Sequence, residues 1–151
     1  MPPLRLESKC MGDLAILTLE QSDSVMVANQ QLDRRFVQAI SGKDLESALA
    51  CFLDGPDLIV VHAGKAMHGS AAVRQSVAGI FSHARRIDLR IDQAEHWRMG
   101  ETVFGFGIAT LTVDSRNGIK ATWKECWTDA RQKITGQWVY VLAHATRIPS
   151  A

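Results

Sequence analysis

The chain has few cysteines, no long apolar run and no excess of charge of one sign. Its three cysteines, Cys10, Cys51 and Cys126, are far apart and include no CxxC pair, so neither a disulfide framework nor a thiolate metal site is indicated. No apolar run reaches the roughly 18–20 residues of a membrane span, and the N-terminus lacks the apolar core of a secretion signal. We therefore expect a cytoplasmic protein with no membrane partner.

The charge balance excludes two further classes of protein. The 17 lysines and arginines are scattered and nearly matched by 16 aspartates and glutamates, which leaves a net charge of +1. A nucleic-acid-binding protein would concentrate basic residues on one face, so we expect no nucleic-acid partner. No two of the five histidines stand four positions apart, which is the spacing of a helical metal pair. We expect neither a metal nor a cofactor.

The 151 residues suit a single domain, and its organisation centres on residues 58–81. A β-branched run predicts a buried strand whose alternation puts Val60 and His62 on one face. A polar turn is predicted to follow and to end on Gly69, and Ser70 is a candidate cap for an amphipathic helix. One strand end and one helix start would then meet at the mouth of a pocket.

Residues 1–22 are predicted to be an N-terminal extension of a domain at 23–149. They have mixed composition and no clear period, so we expect them to be partly disordered or to pack late. The polar residues at 22–24 are candidate caps for the first helix.

Two helices are predicted before the central strand. Apolar residues recur at helical spacing from Val25 to Ile40, with Asp33 on the polar face. Asp44 is a candidate N-cap for a shorter helix that ends near Phe52.

The chain after residue 86 is predicted to be β-structure. Alternating patterns indicate strands within 86–99 and at 102–113, 119–129 and 138–146, with a hairpin turn at 115–118. In the third of these strands Trp123, Glu125 and Trp127 share a face. In the last strand Tyr140 and His144 share a face.

Early helices and late strands are typical of the α+β class, in which a strongly bent sheet wraps the helices on one side. The strand at 102–113 places small residues on one face and Phe104, Phe106 and Ile108 on the other. A broad aromatic patch is unfavourable in water, so we predict a homodimer through this outer face.

Residues 25–148 resemble the nuclear transport factor 2-like superfamily, in its SnoaL-like and ketosteroid-isomerase-like branch. The segments that carry the resemblance are ISGKDL at 40–45, LACF at 49–52, VVHAG at 60–64 and WVYVLAHAT at 138–146. The resemblance implies a cone-shaped, cystatin-like fold, in which a curved antiparallel sheet wraps about three helices around a hydrophobic pocket. It does not imply one reaction, because the superfamily includes isomerases, cyclases, dehydratases, hydrolases and members without known catalysis.

The resemblance also suggests where a site would lie. The isomerases place a catalytic carboxylate base at the position of His62, and an imidazole could carry a proton there at neutral pH. Phe36 stands where they have an oxyanion-binding tyrosine, so that donor is absent. Glu125 stands near their second donor, a protonated acid, and two flanking indoles could raise its pKa by desolvation.

We therefore take His62, Glu125 and His144 as candidate catalytic residues. The residues expected to line the pocket are Phe36, Val60, Trp123, Trp127 and Tyr140. Each candidate also has a structural interpretation: His62 could bond to the backbone, Glu125 could form a salt bridge with a neighbouring Arg or Lys, and His144 could fix a hydrogen bond in the core. His96 is expected to be solvated or capping.

Three functions remain open. The first is a SnoaL-like protein whose pocket holds a small apolar ligand, without an assigned activity. The second is a cofactor-independent acid/base enzyme of isomerase, dehydratase or cyclase type that uses His62, although a classical steroid isomerase is disfavoured by Phe36. The third is a non-catalytic oligomerisation or ligand-binding module whose pocket is filled by side chains.

Overall fold

A computed structural model describes residues 9–150, with side chains from residue 24 onward. The helices are α1 (Lys9–Ser41), α2 (Leu45–Leu49) and α3 (Ser70–His83). The strands are β1 (Ile59–His62), β2 (Lys65–His68), β3 (Ala84–Met99), β4 (Thr102–Ser115), β5 (Lys120–Ile134) and β6 (Gln137–Arg147). No helix in this part of the chain is long and apolar enough to cross a membrane.

The strands form one curved, unclosed sheet in the order β2-β1-β6-β5-β4-β3. Neighbouring strands are antiparallel, except that β1 and β6 run parallel to each other. The α+β class and the curved sheet predicted from the sequence are therefore confirmed, with one parallel pair that was not predicted.

The first helix begins much earlier than its pattern indicates. It includes residues 22–24, so the predicted cap cluster lies inside a helix and that boundary is wrong. Disorder was expected before residue 23, and positions 1–8 of that segment lie outside the described residues. From residue 9 onward the backbone is helical and continuous with the rest of α1.

The caps of the two shorter helices differ from each other. Asp44 caps α2 as predicted, since its Oδ1 accepts a hydrogen bond from the Ser47 amide at 3.1 Å. Ser70 does not cap α3, because the N-cap is Gly69 with φ of 83°. The Ser70 hydroxyl instead donates to Asp54 Oδ1 at 2.7 Å.

The polar segment after His62 is a second strand and not the predicted long turn. Ala63 and Gly64 both have positive φ, 51° and 75°, which is the geometry of a two-residue type I′ hairpin. Consequently His62 pairs with Lys65, and β2 covers the outer edge of the sheet next to β1.

The small residues of β4 make room for side chains from β5. A Cβ on Gly105 would lie 2.6 Å from Nη2 of Arg131, and one on Gly107 would overlap the ring atoms Cη2 and Cζ2 of Trp127. The two glycines thus let a buried guanidinium and an indole lie flat against β4, inside the curve of the sheet.

Candidate functional site

A mainly apolar cavity of about 210 Å³ lies between the concave face of the sheet and helices α1 and α3. Four of the five residues expected to line it do so: Phe36, Val60, Trp127 and Tyr140. Trp123 is not among the lining residues. The remaining apolar lining includes Val37, Ile40, Met67, Val73, Val77, Ile80, Phe81, Ile87, Leu89, Ile91, Ala109, Leu111, Val113, Ala143 and Ala145.

His62 and Glu125 meet in the wall of this cavity. His62 ends β1 and Glu125 lies in the middle of β5, with β6 between the two strands. Nε2 of His62 lies 3.3 Å from Oε1 of Glu125, and their side chains are 34% and 15% exposed. Two of the three candidate catalytic residues are therefore brought into direct contact.

Glu125 accepts two hydrogen bonds on one oxygen. Besides the bond from His62, its Oε1 accepts one from Nε1 of Trp123 at 2.8 Å. Burial raises the pKa of Glu125, but the bonds from His62 and Trp123 and the charge of Arg147 outweigh it, so the net pKa is lowered. The expectation of a carboxyl kept neutral by two indoles is wrong, because one of those indoles donates to it and favours the ionised form.

The pKa of His62 moves in the opposite direction. The hydrogen bond to Glu125 raises it above the ordinary 6.5, partial burial opposes this, and the carboxylate charge adds to the rise. The bond to Glu125 occupies Nε2, and no group in residues 24–150 hydrogen-bonds to Nδ1. In its neutral form this imidazole therefore has a free nitrogen able to accept a proton.

His144 does not share the sheet face of Glu125. β6 carries one extra residue, Val141, between the pairs Arg131–Tyr140 and Ala130–Leu142, and such a bulge exchanges the two faces of the strand beyond it. His144 therefore pairs with Thr128 on the outer face, while the neighbouring alanines face inward. Its position still borders the cavity, but the predicted common face with Tyr140 is wrong.

A second polar cluster, which the sequence did not reveal, lies beside the cavity around Asp33 of α1. Asp33 Oδ1 accepts from the hydroxyl of Tyr140 at 2.6 Å and lies 2.8 Å from Nη2 of Arg131. Its Oδ2 accepts from Nε2 of His96 at 2.7 Å. Arg131 also binds Asp129 through Nε at 2.7 Å and Nη2 at 2.9 Å.

This cluster is deeply buried. The side chains of Asp33 and His96 are each 7% exposed, so the predicted solvated positions of both residues are wrong. Burial raises the pKa of Asp33, but the bonds from His96 and Tyr140 and the charge of Arg131 lower it by more. Burial lowers the pKa of Arg131, but its hydrogen bonds with Asp129 and the negative charges around it raise the pKa by more, so the net pKa is raised. Asp33 and Arg131 are therefore an ionised pair.

Position 33 carried one signal that could have identified this cluster. Asp33 directly follows Leu32 and precedes Phe36 by three positions, so it borders the apolar face of α1. Its partners are distant in sequence: His96 on β3 and Tyr140 on β6. No local pattern joins residues that far apart, so only the fold reveals the pairing.

The aromatic residues close one wall of the cavity without offering a donor to it. Phe36 makes edge contacts with Tyr140 and Phe52, with ring centroids 5.7 and 5.6 Å apart. The Tyr140 hydroxyl is occupied by Asp33, and Nε1 of Trp127 donates to Asp129 Oδ2 at 3.1 Å. Asp33, Asp129 and Tyr140 are thus committed to protein partners, whereas His62 and Glu125 keep free atoms that could act on a ligand, as does Ser76 of α3, which also lines the cavity.

Comparison with known proteins places the fold but not the activity. No family model matches the chain, and no curated protein does. A nuclear transport factor 2-like superfamily protein of Salmonella enterica serovar Typhimurium superposes with a TM-score of 0.80 at 15% identity, over 86% of this chain and 95% of that one.

Two further solved structures have names that suggest a reaction. A proposed dehydratase of the nuclear transport factor 2-like family from Streptomyces avermitilis has a TM-score of 0.77 at 16% identity, over 85% of this chain and 99% of that one. A proposed scytalone dehydratase from Novosphingobium aromaticivorans has a TM-score of 0.80 at 13% identity, over 87% and 89%. At such identities the likeness shows the fold alone, which is nuclear transport factor 2-like.

Proposed function

We propose that this protein is a cofactor-independent acid/base enzyme that transfers a proton on an apolar small molecule held in the cavity. The observation that carries the proposal is the contact of 3.3 Å between His62 and Glu125 in the wall of that cavity. His62 is the group that takes and returns the proton, and Glu125 orients its ring and stabilises the imidazolium.

The chemistry follows from the protonation states. With Glu125 ionised and bonded to Nε2, neutral His62 carries its proton on Nε2 and can accept another at Nδ1. The imidazolium that forms lies beside a carboxylate, which lowers the cost of the charge. The same Nδ1 can then return the proton to another atom of the substrate, as in an isomerisation, or to a leaving hydroxyl, as in a dehydration.

A dehydration, or an isomerisation that does not depend on a tyrosine donor for its oxyanion, fits the site better than the classical steroid isomerisation. Phe36 supplies no donor for an oxyanion, and the Tyr140 hydroxyl already donates to Asp33. Two solved structures with the same fold are named as proposed dehydratases, which supports this class. The proposal also includes membership of the SnoaL-like branch of this superfamily, and cyclisation is a further reaction of the same acid/base type.

The assay for this function is solvent-proton exchange. The protein is incubated in D₂O with a panel of apolar carbonyl and β-hydroxycarbonyl compounds, and deuterium uptake and loss of water are followed by mass spectrometry. His62→Gln should reduce the rate on any active compound by about 10²–10⁴-fold, the usual contribution of a general acid/base. His68→Gln, an exposed histidine on β2, is the matched control and should leave the rate unchanged.

A non-catalytic ligand-binding module is the second candidate. It is favoured by the aromatic contacts of Phe36 and by the saturation of Asp33, Asp129 and Tyr140 with protein partners. If no compound of the panel exchanges a proton, or if His62→Gln is as active as the unchanged protein, the catalytic proposal is withdrawn in favour of this one.

The proposal includes a cytoplasmic homodimer formed through the outer sheet face. On that face Trp97 stacks on Phe104 with centroids 5.8 Å apart, and Trp97 and Leu142 are 46% and 45% exposed. Phe104 and Ala130 lie between Trp97 and Leu142 in the sheet, and Phe106 and Ile108 continue the same face along β4, opposite Thr128 and Cys126. A second copy would cover this apolar surface.

A further inference from the structure

The described wall of the cavity contains acidic side chains and histidines but no lysine or arginine. Three carboxylates, Asp33, Glu125 and Asp129, line it together with His62 and His144, whereas no lysine or arginine of the described residues does. Arg131 is bound to Asp129 and Arg147 lies over the ring of Trp123, and neither lines the cavity. A ligand in the cavity therefore meets carboxylate oxygens, the His62 ring, the Ser76 hydroxyl and apolar groups, but no lysine or arginine among the described residues.

Two of the three carboxylates are already saturated. Both oxygens of Asp33 accept hydrogen bonds, from Tyr140 and His96. Both oxygens of Asp129 accept bonds from Arg131, and one accepts a further bond from Trp127. These two groups have little acceptor capacity left for a ligand.

Glu125 is bonded differently. Its Oε1 accepts both from His62 and from Trp123, whereas Oε2 receives no hydrogen bond from residues 24–150. The side chain is 15% exposed and lines the cavity, so the carboxylate is only partly in contact with bulk water. An unbonded carboxylate oxygen in such a position gains from a donor, and a ligand in the cavity can supply one.

We infer that the cavity accepts a non-anionic apolar molecule that directs a hydroxyl or ammonium donor at Oε2 of Glu125, and that it excludes carboxylates. An anionic ligand would bring like charge to Glu125. The described lining holds no lysine or arginine, and the imidazolium of His62 is already paired with that carboxylate, so the added charge would lack a free cation to compensate it. The inference rests on the proposed function for the choice of cavity, but it concerns recognition and not turnover.

The test compares three probes of one shape: cyclohexylmethanol, cyclohexylmethylamine and cyclohexanecarboxylate. Their dissociation constants are measured at pH 7 by titration calorimetry, with the fluorescence of Trp127 and Trp123 as a second readout. We expect the alcohol or the amine to bind at least ten times more tightly than the carboxylate. The relative affinity of alcohol and amine shows whether the donor is neutral or charged.

Substitution of Glu125 identifies the residue responsible. In Glu125→Gln the carboxylate should bind within about threefold of the better of the other two probes, because the like charge is gone. Glu101→Gln, an exposed glutamate in the β3–β4 turn, should keep the original preference. Glu125→Asp keeps the charge but withdraws the oxygen, so it should weaken alcohol and amine binding and still reject the carboxylate; it also serves if Glu125→Gln fails to fold.

Equal binding of all three probes, a preference for the carboxylate, or no binding of any probe would each overturn the inference. So would an unchanged preference in Glu125→Gln. A donor preference without any proton exchange would leave the inference standing and remove the catalytic proposal. Proton exchange by His62 on an anionic substrate would do the reverse.

Discussion

Nε2 of His62 lies 3.3 Å from Oε1 of Glu125, although 63 positions separate the two residues in the chain. The contact raises the pKa of the imidazole and contributes to lowering that of the carboxyl, so each residue favours the charged form of the other. Burial acts against both charges and is outweighed in both cases.

The pair should stabilise the fold within a defined pH window. The contribution of protonated His62 is fully present below its unfolded value of about 6.5 and is lost as the pH rises through its higher folded pKa. The contribution of Glu125 is present above its unfolded value of about 4.5 and is lost as the pH falls through its lower folded pKa. Both contributions therefore coincide between about pH 4.5 and 6.5.

Urea unfolding at a series of pH values measures this directly. The difference in free energy of unfolding between the unchanged protein and Glu125→Gln should be largest inside that window and decline on both sides. A proton NMR titration should show the His62 pKa falling in Glu125→Gln. A flat difference across the pH range would mean that the two side chains do not interact in solution.

Removal of the charge of Asp33 should destabilise the protein strongly. In Asp33→Asn, Arg131 loses one of its two buried carboxylates, and the hydrogen bonds to Tyr140 and His96 weaken. Disrupting a buried ion pair through one partner typically costs about 3–5 kcal/mol, and chemical denaturation should show a loss of that order.

The control for Asp33 is an exposed ion pair of similar geometry. Glu46 binds Arg74 through two hydrogen bonds of 2.6 and 2.8 Å on the surface. Glu46→Gln should cause little measurable change, because water replaces the lost partner. If the two substitutions have equal effects, the Asp33 cluster is not as dry as the structure indicates.

Gly107 should be intolerant of any side chain. In Gly107→Ala the new methyl group would overlap the indole of Trp127 and the backbone carbonyl oxygen of Gln93, and overpacking of this kind costs about 1–3 kcal/mol. Both the indole, which lines the cavity, and the neighbouring strand must shift to relieve the overlap, so the tryptophan emission and the affinity for probe ligands should change. Gly79→Ala in α3, where nothing lies within 4 Å, should instead stabilise the protein by about 0.5–1 kcal/mol.

A charge at the centre of the outer face should prevent dimerisation. We expect the unchanged chain to sediment as a dimer and Phe106→Lys as a monomer close to 16.6 kDa, because burial of an unpaired ammonium is costly. Ile119→Lys introduces the same charge at an exposed position in the β4–β5 turn and should remain dimeric. A monomeric unchanged chain at micromolar concentration would contradict the proposed interface.

The alternating pattern of β4 and β5 predicted the cavity better than the helices did. In these strands every second residue faces inward without interruption from Gly105 to Leu111 and from Trp123 to Asp129, so the shared face of Glu125 and Trp127 followed from parity alone. The face of His144 did not, because a bulge leaves no distinct local signal in the sequence. His62 was placed near Glu125 only through the resemblance.

The cluster around Asp33 was beyond local reasoning for a different reason. A helix face is classified from its own residues, and an aspartate among glutamines and arginines indicates a solvated surface. Arg131 and His96 reverse that outcome by arriving from strands late in the chain. A contact that forms only in the folded state cannot be identified from the spacing of residues along a single helix.

The extra residue Val141 determines which side chains of β6 face the cavity. If Val141 paired with Ala130 and β6 alternated without the bulge, His144 would pair with Trp127, and its imidazole would face inward in place of the methyl groups of Ala143 and Ala145. A shift of register by one residue would thus add a titratable group to the pocket without any substitution. Strand register is therefore a route to new reactivity in a pocket of this kind, and substitution libraries leave it unexplored.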